Sequence, residues 1–141
     1  TDERVAYREQ VEAEGFEITG LHWLLAKTHG LHLTTIDRET RARTTEYIKD
    51  LARLCNDLGG KVMVLGSPLQ RNVPEDQSME SAMENAAEVI RAAVPVLEET
   101  QVQIALEPLG HEEGNFLLTA AKGRELQNMI GSEQVKLHLQ K

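Results

Sequence analysis

The sequence predicts an α/β chain built of parallel βα units. Two patterns carry that reading. Short apolar runs alternate with longer stretches of helical periodicity, and the helical stretches carry recognisable start and stop signals. Strand alternating with helix argues for βαβ units and a parallel sheet, joined by right-handed crossovers. The apolar runs are Phe16–Leu25, Val62–Leu65, Val102–Leu106 and Val135–Leu139. Each is short, and most are rich in Leu or β-branched residues, so each reads as a strand.

The helical stretches follow in order. Residues 3–14 are polar helix formers with few apolar anchors, and Gly15 stops them. Asp37 is placed as the N-cap of the next helix, in which Tyr47, Ile48, Leu51, Leu54, Cys55 and Leu58 recur at helical spacing before Gly59 and Gly60. From about Gln77 to Glu99 a second stripe runs through Met79, Ala82, Met83, Ala86, Val89, Ile90, Ala93, Val94 and Leu97, with Pro95 expected to kink the helix or loosen its last turn. Thr119 caps a fourth helix whose inward residues include Leu126, Met129 and Ile130, with Gly131 as its stop. No linker rich in Gly, Ser or Pro divides the chain, and Gly66–Gln77 reads as a βα loop, so residues 1–141 form one domain. Four strands in this order suit either an open doubly wound sheet or half of a closed eight-strand barrel, which usually needs ~250 residues.

Composition narrows the function. The 141 residues carry 15 Lys and Arg against 23 Asp and Glu, a formal charge of −8. That balance disfavours a phosphate backbone, which needs clustered cations. One Trp, two Tyr and two Phe are too few for a base-stacking surface. No apolar run is long enough to cross a membrane, and no signal-peptide pattern precedes the first helix. The single cysteine, Cys55, forms no internal disulfide and fits a reducing compartment, so a cytoplasmic protein is expected.

In parallel α/β folds the chemistry gathers at the carboxyl ends of the strands. The residues to consider are His22 and Trp23 after the first run, and Gly66, Ser67, Gln70 and Arg71 after the second. Glu107, His111, Glu112 and Glu113 follow the third, and Gln140 and Lys141 the last. Glu107 stands out, because it directly follows an apolar strand and directly precedes Pro108, which ends strand pairing. A carboxylate there must pair with a neighbouring Lys or Arg, bind a metal or shift its pKa. Glu113, six residues on, could supply the second carboxylate of a proton-transfer pair or be a solvated loop residue. His138 alternates with Leu137 and Leu139 and reads as a packing histidine. Dinucleotide, P-loop and serine-hydrolase signatures are absent, as are zinc-site spacings of His and Cys.

Four segments give the chain a likeness. Gly20-Leu21-His22-Trp23-Leu24-Leu25, Leu58 to Pro68 with Gln70-Arg71, Leu106-Glu107-Pro108-Leu109, and Asn115 to Ala121 together resemble the sugar phosphate isomerase/epimerase family. This belongs to the xylose isomerase-like TIM-barrel superfamily, which also holds ketose 3-epimerases, hydroxypyruvate isomerases and endonuclease IV. The resemblance runs over about residues 16–139. It implies a partial (β/α)8 barrel, from the first helix to the fifth strand, with the first strand and everything after the fifth absent. It implies a divalent cofactor (Mn, Mg, Co or Zn) and a small-molecule sugar substrate. Glu107 falls on the metal ligand of the fourth strand, and Glu113 on the catalytic or substrate-binding Glu of the loop after it. Gln140 stands where the fifth-strand ligand is normally an Asp. His22, Trp23 and Arg71 are placed at the mouth of the site to bind substrate. The activity implied is isomerisation or epimerisation through an enediolate, with this stretch holding one firm metal ligand rather than a complete site. The alternative is a non-catalytic half-barrel that associates with itself or another chain, since strand edges at both ends invite pairing. The acidic charge argues against the DNA-repair branch.

Overall fold

The computed structural model describes residues 2–140. Its strands β1 (Gly20–His22), β2 (Val62–Leu65), β3 (Gln103–Leu106) and β4 (Val135–Leu137) form one sheet in chain order, all parallel. Helices α1 (Asp2–Ala13), α2 (Arg38–Asp57), α3 (Met79–Thr100) and α4 (Ala120–Ile130) alternate with them. This is the α/β architecture that the alternating pattern predicts.

Side chains alternate across a strand, so each strand offers two faces. Met63, Leu65, Ile104, Leu106 and Val135 join the helix residues Ile48, Ala52, Cys55, Ala86, Ile90, Leu97, Leu126 and Ile130 in one buried core. Burying each Leu, Ile, Val or Met among them contributes roughly 1.5–3 kcal/mol. The opposite face carries the register row His22, Val64, Ala105 and Lys136.

The caps are local chemistry. The side chains of Asp37, Ser78 and Thr119 each accept a backbone N–H of the first helical turn, and Gly131 ends α4 in the left-handed region. The stripe over 77–99 becomes α3, which runs through Pro95 for five further residues. Helix α1 buries none of its side chains, as its lack of apolar anchors predicts.

Three strands are shorter than their apolar runs, β3 by Val102 alone. Phe16 is exposed and lies outside β1, while Leu24 and Leu25 are buried but sit in a turn. The cause is Trp23, whose φ of 54° takes the chain out of the extended region. The Ala26 N–H then bonds back to the Trp23 carbonyl. At the other end β4 stops at Leu137, although the His138 N–H still reaches the Leu106 carbonyl at 2.8 Å.

Candidate active site

The loop after β2 organises the carboxyl end of the sheet. It starts at Gly66 and makes a turn of 3-10 helix over Pro68–Gln70. Ser67 is buried and its Oγ accepts the Leu25 N–H at 3.0 Å. The Gln70 carbonyl accepts the Leu33 N–H at 2.8 Å, and Thr34 donates to the carbonyls of Arg71 and Asn72. On its other side, Asn115 of the β3–α4 loop holds Val73 at two points. Its Oδ1 accepts the Val73 N–H at 2.7 Å and its Nδ2 donates to the Val73 carbonyl at 2.8 Å. Three loops are thereby stitched into one rim.

Within this rim lies a cleft of about 530 Å³, lined by His22, Trp23, Val64, Gly66, Ser67, Pro68, Glu107, Leu109, Glu113, His138 and Gln140. Carried one residue beyond the strand ends, the parallel register sets Gly66, Glu107 and His138 side by side. Glu107 is 7% exposed, yet among the described residues no side chain donates to its carboxylate. Its Oε1 lies 3.9 Å from Nε2 of His138, beyond hydrogen-bond range. Its Oε2 rests over Gly66, where a Cβ would come within 2.5 Å. Only glycine allows the carboxylate this seat.

The structure brings His22, Trp23, Glu107, Glu113 and Gln140 together around the cleft. His22 and Trp23 form a tilted ring pair, with centroids 5.8 Å apart. Glu113 is exposed, and its Oε2 accepts the Gly110 N–H at 3.3 Å. Arg71 departs from the expectation. It does not line the mouth but is buried at 1% exposure, with Nη1 donating to the Leu65 carbonyl at 3.3 Å. That carbonyl also accepts the Glu107 N–H, so the guanidinium sits at the root of the Glu107 strand end. Burial pulls the Arg71 pKa down to about 10, while the charges of Glu107 and then Glu113 act to raise it, and it stays cationic at neutral pH.

His138 is the residue that sequence reasoning passed over. It is half-exposed and lines the cleft rather than packing away from it. The signal was its two-residue offset from Gln140, which puts both on the same face of the chain end. Lys141 lies outside the described residues.

As donors for a divalent cation, the residues fit only in part. Among the described residues the Glu107 carboxylate has no competing side-chain donor, and His138 and Gln140 offer a nitrogen and an oxygen at the same strand end. Yet among the described residues no group of three or more His, Cys, Asp or Glu could hold a metal. The described residues do not by themselves close a ligand shell.

A parallel sheet with a carboxylate-bearing cleft at its carboxyl end defines the α/β class, open sheets and barrels alike. The chain belongs to the xylose isomerase-like TIM barrel family, whose family model matches residues 1–140. It is 32% identical over 114 residues to an L-ribulose 3-epimerase of Mesorhizobium japonicum, covering 76% of this chain and 36% of that protein. Its fold is similar to a crystal structure of D-psicose 3-epimerase at a TM-score of 0.83 and 17% identity, covering 98% of this chain and 47% of the other. A D-psicose 3-epimerase from Clostridium cellulolyticum H10 gives 0.82 at 18% identity, covering 99% and 48%. At these identities the two structures speak for the fold alone. The chain spans about half the length of these structures and 36% of the ribulose epimerase.

Proposed function

We propose that this chain is the metal-ligand-bearing part of a sugar isomerase or epimerase that moves a proton next to a carbonyl. The observation that carries the reading is Glu107: a buried carboxylate at a strand end, open to a cleft and without a side-chain donor among the described residues. A divalent cation (Mn, Mg, Co or Zn), held by Glu107 together with donors from outside this chain, would supply charge opposite the oxygens of an enediolate.

This chain's own residues account for the other parts of the task. Glu113, at the solvent side of the cleft, is the acid/base or orients the sugar hydroxyls. General acid–base catalysis of this kind contributes ~10²–10⁴-fold. Trp23 and His22 give the sugar a wall with an apolar face and a polar edge. A small sugar suits the size of the cleft, in line with the family. Gln140, as a neutral oxygen, orients substrate or contributes a weak ligand.

The test is Glu107→Gln and Glu113→Gln in the full-length protein, assayed for ketose turnover. Each should lose on the order of 10²-fold or more in kcat. Unchanged turnover in Glu107→Gln would sink the reading.

A further inference from the structure

The Gln70-Arg71-Asn72 stretch and Asn115 have no direct place in that chemistry, yet they meet behind it. Arg71 is 1% exposed, and its Nη2 is a buried donor without a partner among the described residues. Leaving such a group unpaired costs about 1–3 kcal/mol or more when charged, so a fold keeps it only where something offsets the cost. An apolar side chain of similar size would fill the same space without that cost.

The surroundings say what the charge is for. Nη1 shares the Leu65 carbonyl with the Glu107 N–H, which fixes the guanidinium beside the Glu107 strand end. The next residue, Asn72, accepts the Asn115 N–H through Oδ1 at 3.1 Å. The same Oδ1 lies 2.5 Å from the Cβ that Gly114 lacks. Asn115 in turn grips Val73 at two points. So Asn72 and Val73 are clamped to Gly114 and Asn115, and Arg71 and Glu113 each adjoin the clamp in sequence. The free N–H and the cleft carboxylate of Glu113 flank the two halves of that clamp. In the present conformation Glu113 bonds only weakly within its own loop, to Gly110 at 3.3 Å.

We propose that Arg71 is a positioning residue whose free N–H, set in place by the Asn72–Asn115 clamp, holds the Glu113 carboxylate in its working orientation over the cleft. The proposal rests on the epimerase reading in that it takes Glu113 as the acid/base or substrate-orienting group. The electrostatics agree, since against the desolvation of Arg71 the charge of Glu107 and, after it, that of Glu113 favour the cation.

A double-mutant cycle tests it. Arg71→Met, Arg71→Lys, Glu113→Gln and Arg71→Met with Glu113→Gln are made in the full-length protein and read for ketose turnover, sugar Kd by calorimetry and Tm. Arg71→Met should lower kcat roughly 10–100-fold, the size of effect typical of groups that orient a ligand from behind. KM should stay within about threefold, because the loss falls on the reacting state. Arg71→Lys should recover part of the loss. In the Glu113→Gln background the Arg71→Met step should shrink to about twofold or less. If Glu113→Gln leaves no turnover to measure, Glu113→Asp, which keeps a displaced carboxylate, replaces it in the cycle. An equal loss with or without Glu113, with or without a fall in Tm, overturns the positioning role, as does full activity in Arg71→Met. Normal turnover without coupling defeats the positioning role alone. An unmutated protein that neither binds nor turns over a ketose defeats the epimerase reading and this proposal together.

Discussion

At the scale of single residues, the site depends on what is missing from Gly66. A methyl there would meet Glu107 Oε2 at 2.5 Å and little else of Glu107, its next contact being 3.6 Å away. The carboxylate is the movable end of its side chain, so Gly66→Ala should displace that oxygen rather than unfold the sheet. Turnover of the full-length protein should fall on the order of 10²-fold, the cost of a misplacement near 1 Å. Thermal melting beside the assay checks that the fold survives. His32 makes a second residue-level prediction. Burial lowers its pKa, and its Nδ1 accepts the Thr34 N–H at 3.2 Å, which a protonated ring cannot do. The unfolded chain takes up this proton near pH ~6.5 and the folded chain only at lower pH. The contribution is therefore complete above about pH 6.5 and is lost as pH falls towards the folded value. Urea midpoints at pH 7.5 and pH 5.5 should converge in His32→Gln relative to the parent. Equal slopes in the two proteins would contradict this. Cys55 adds a third, because burial raises its thiol pKa and it lies wholly in the core. Native protein should react with a thiol reagent only as fast as it opens, and denaturant should release the full reactivity.

At the scale of elements, the caps carry a measurable share of stability. Thr119 ends the loop that holds Glu113 and starts α4, its side chain accepting the Lys122 N–H at 3.1 Å. Thr119→Ala should cost about 1 kcal/mol, measurable by chemical denaturation. This cap was legible in the sequence, as were Asp37, the α2 stripe and the Gly131 stop, because each is set by residues within a turn of one another. The limits of β1 were not. Phe16–Leu25 reads as one apolar run, but the left-handed Trp23 and the Ser67 bond to Leu25 decide where the strand ends, and Ser67 is 42 residues away. The site divided in the same way. Glu107 announced itself by standing between an apolar strand and a proline. Arg71 looked like a mouth residue from its position, and only the packing of the loop behind Leu65 turns it inward. His138 passed for core because alternation gives a face without saying what that face looks onto. The register with Glu107 supplies that information.

At the scale of the whole molecule, the sheet is the deciding feature. Its helices cover one face, while the row His22, Val64, Ala105 and Lys136 lies on the other. Strands β1 and β4 each have one partner among the described residues. In a closed barrel that face and those edges meet further strands, and the ligand shell is shared around the ring. The chain spans about half of the solved structures it matches, and it offers one buried carboxylate, Glu107, with His138 at 3.9 Å from it. A dedicated oxygen site for a divalent cation reaches about 10⁻⁴–10⁻³ M even at its weak end, and does so with six or more ligands. A polypeptide of residues 1–141 alone should therefore bind Mn²⁺ more weakly than about 1 mM by calorimetry, and Glu107→Gln should abolish what remains. Its free strand edges should also make it self-associate with rising concentration in sedimentation. A well-behaved monomer with tight Mn²⁺ binding would show instead that these residues already close a site of their own.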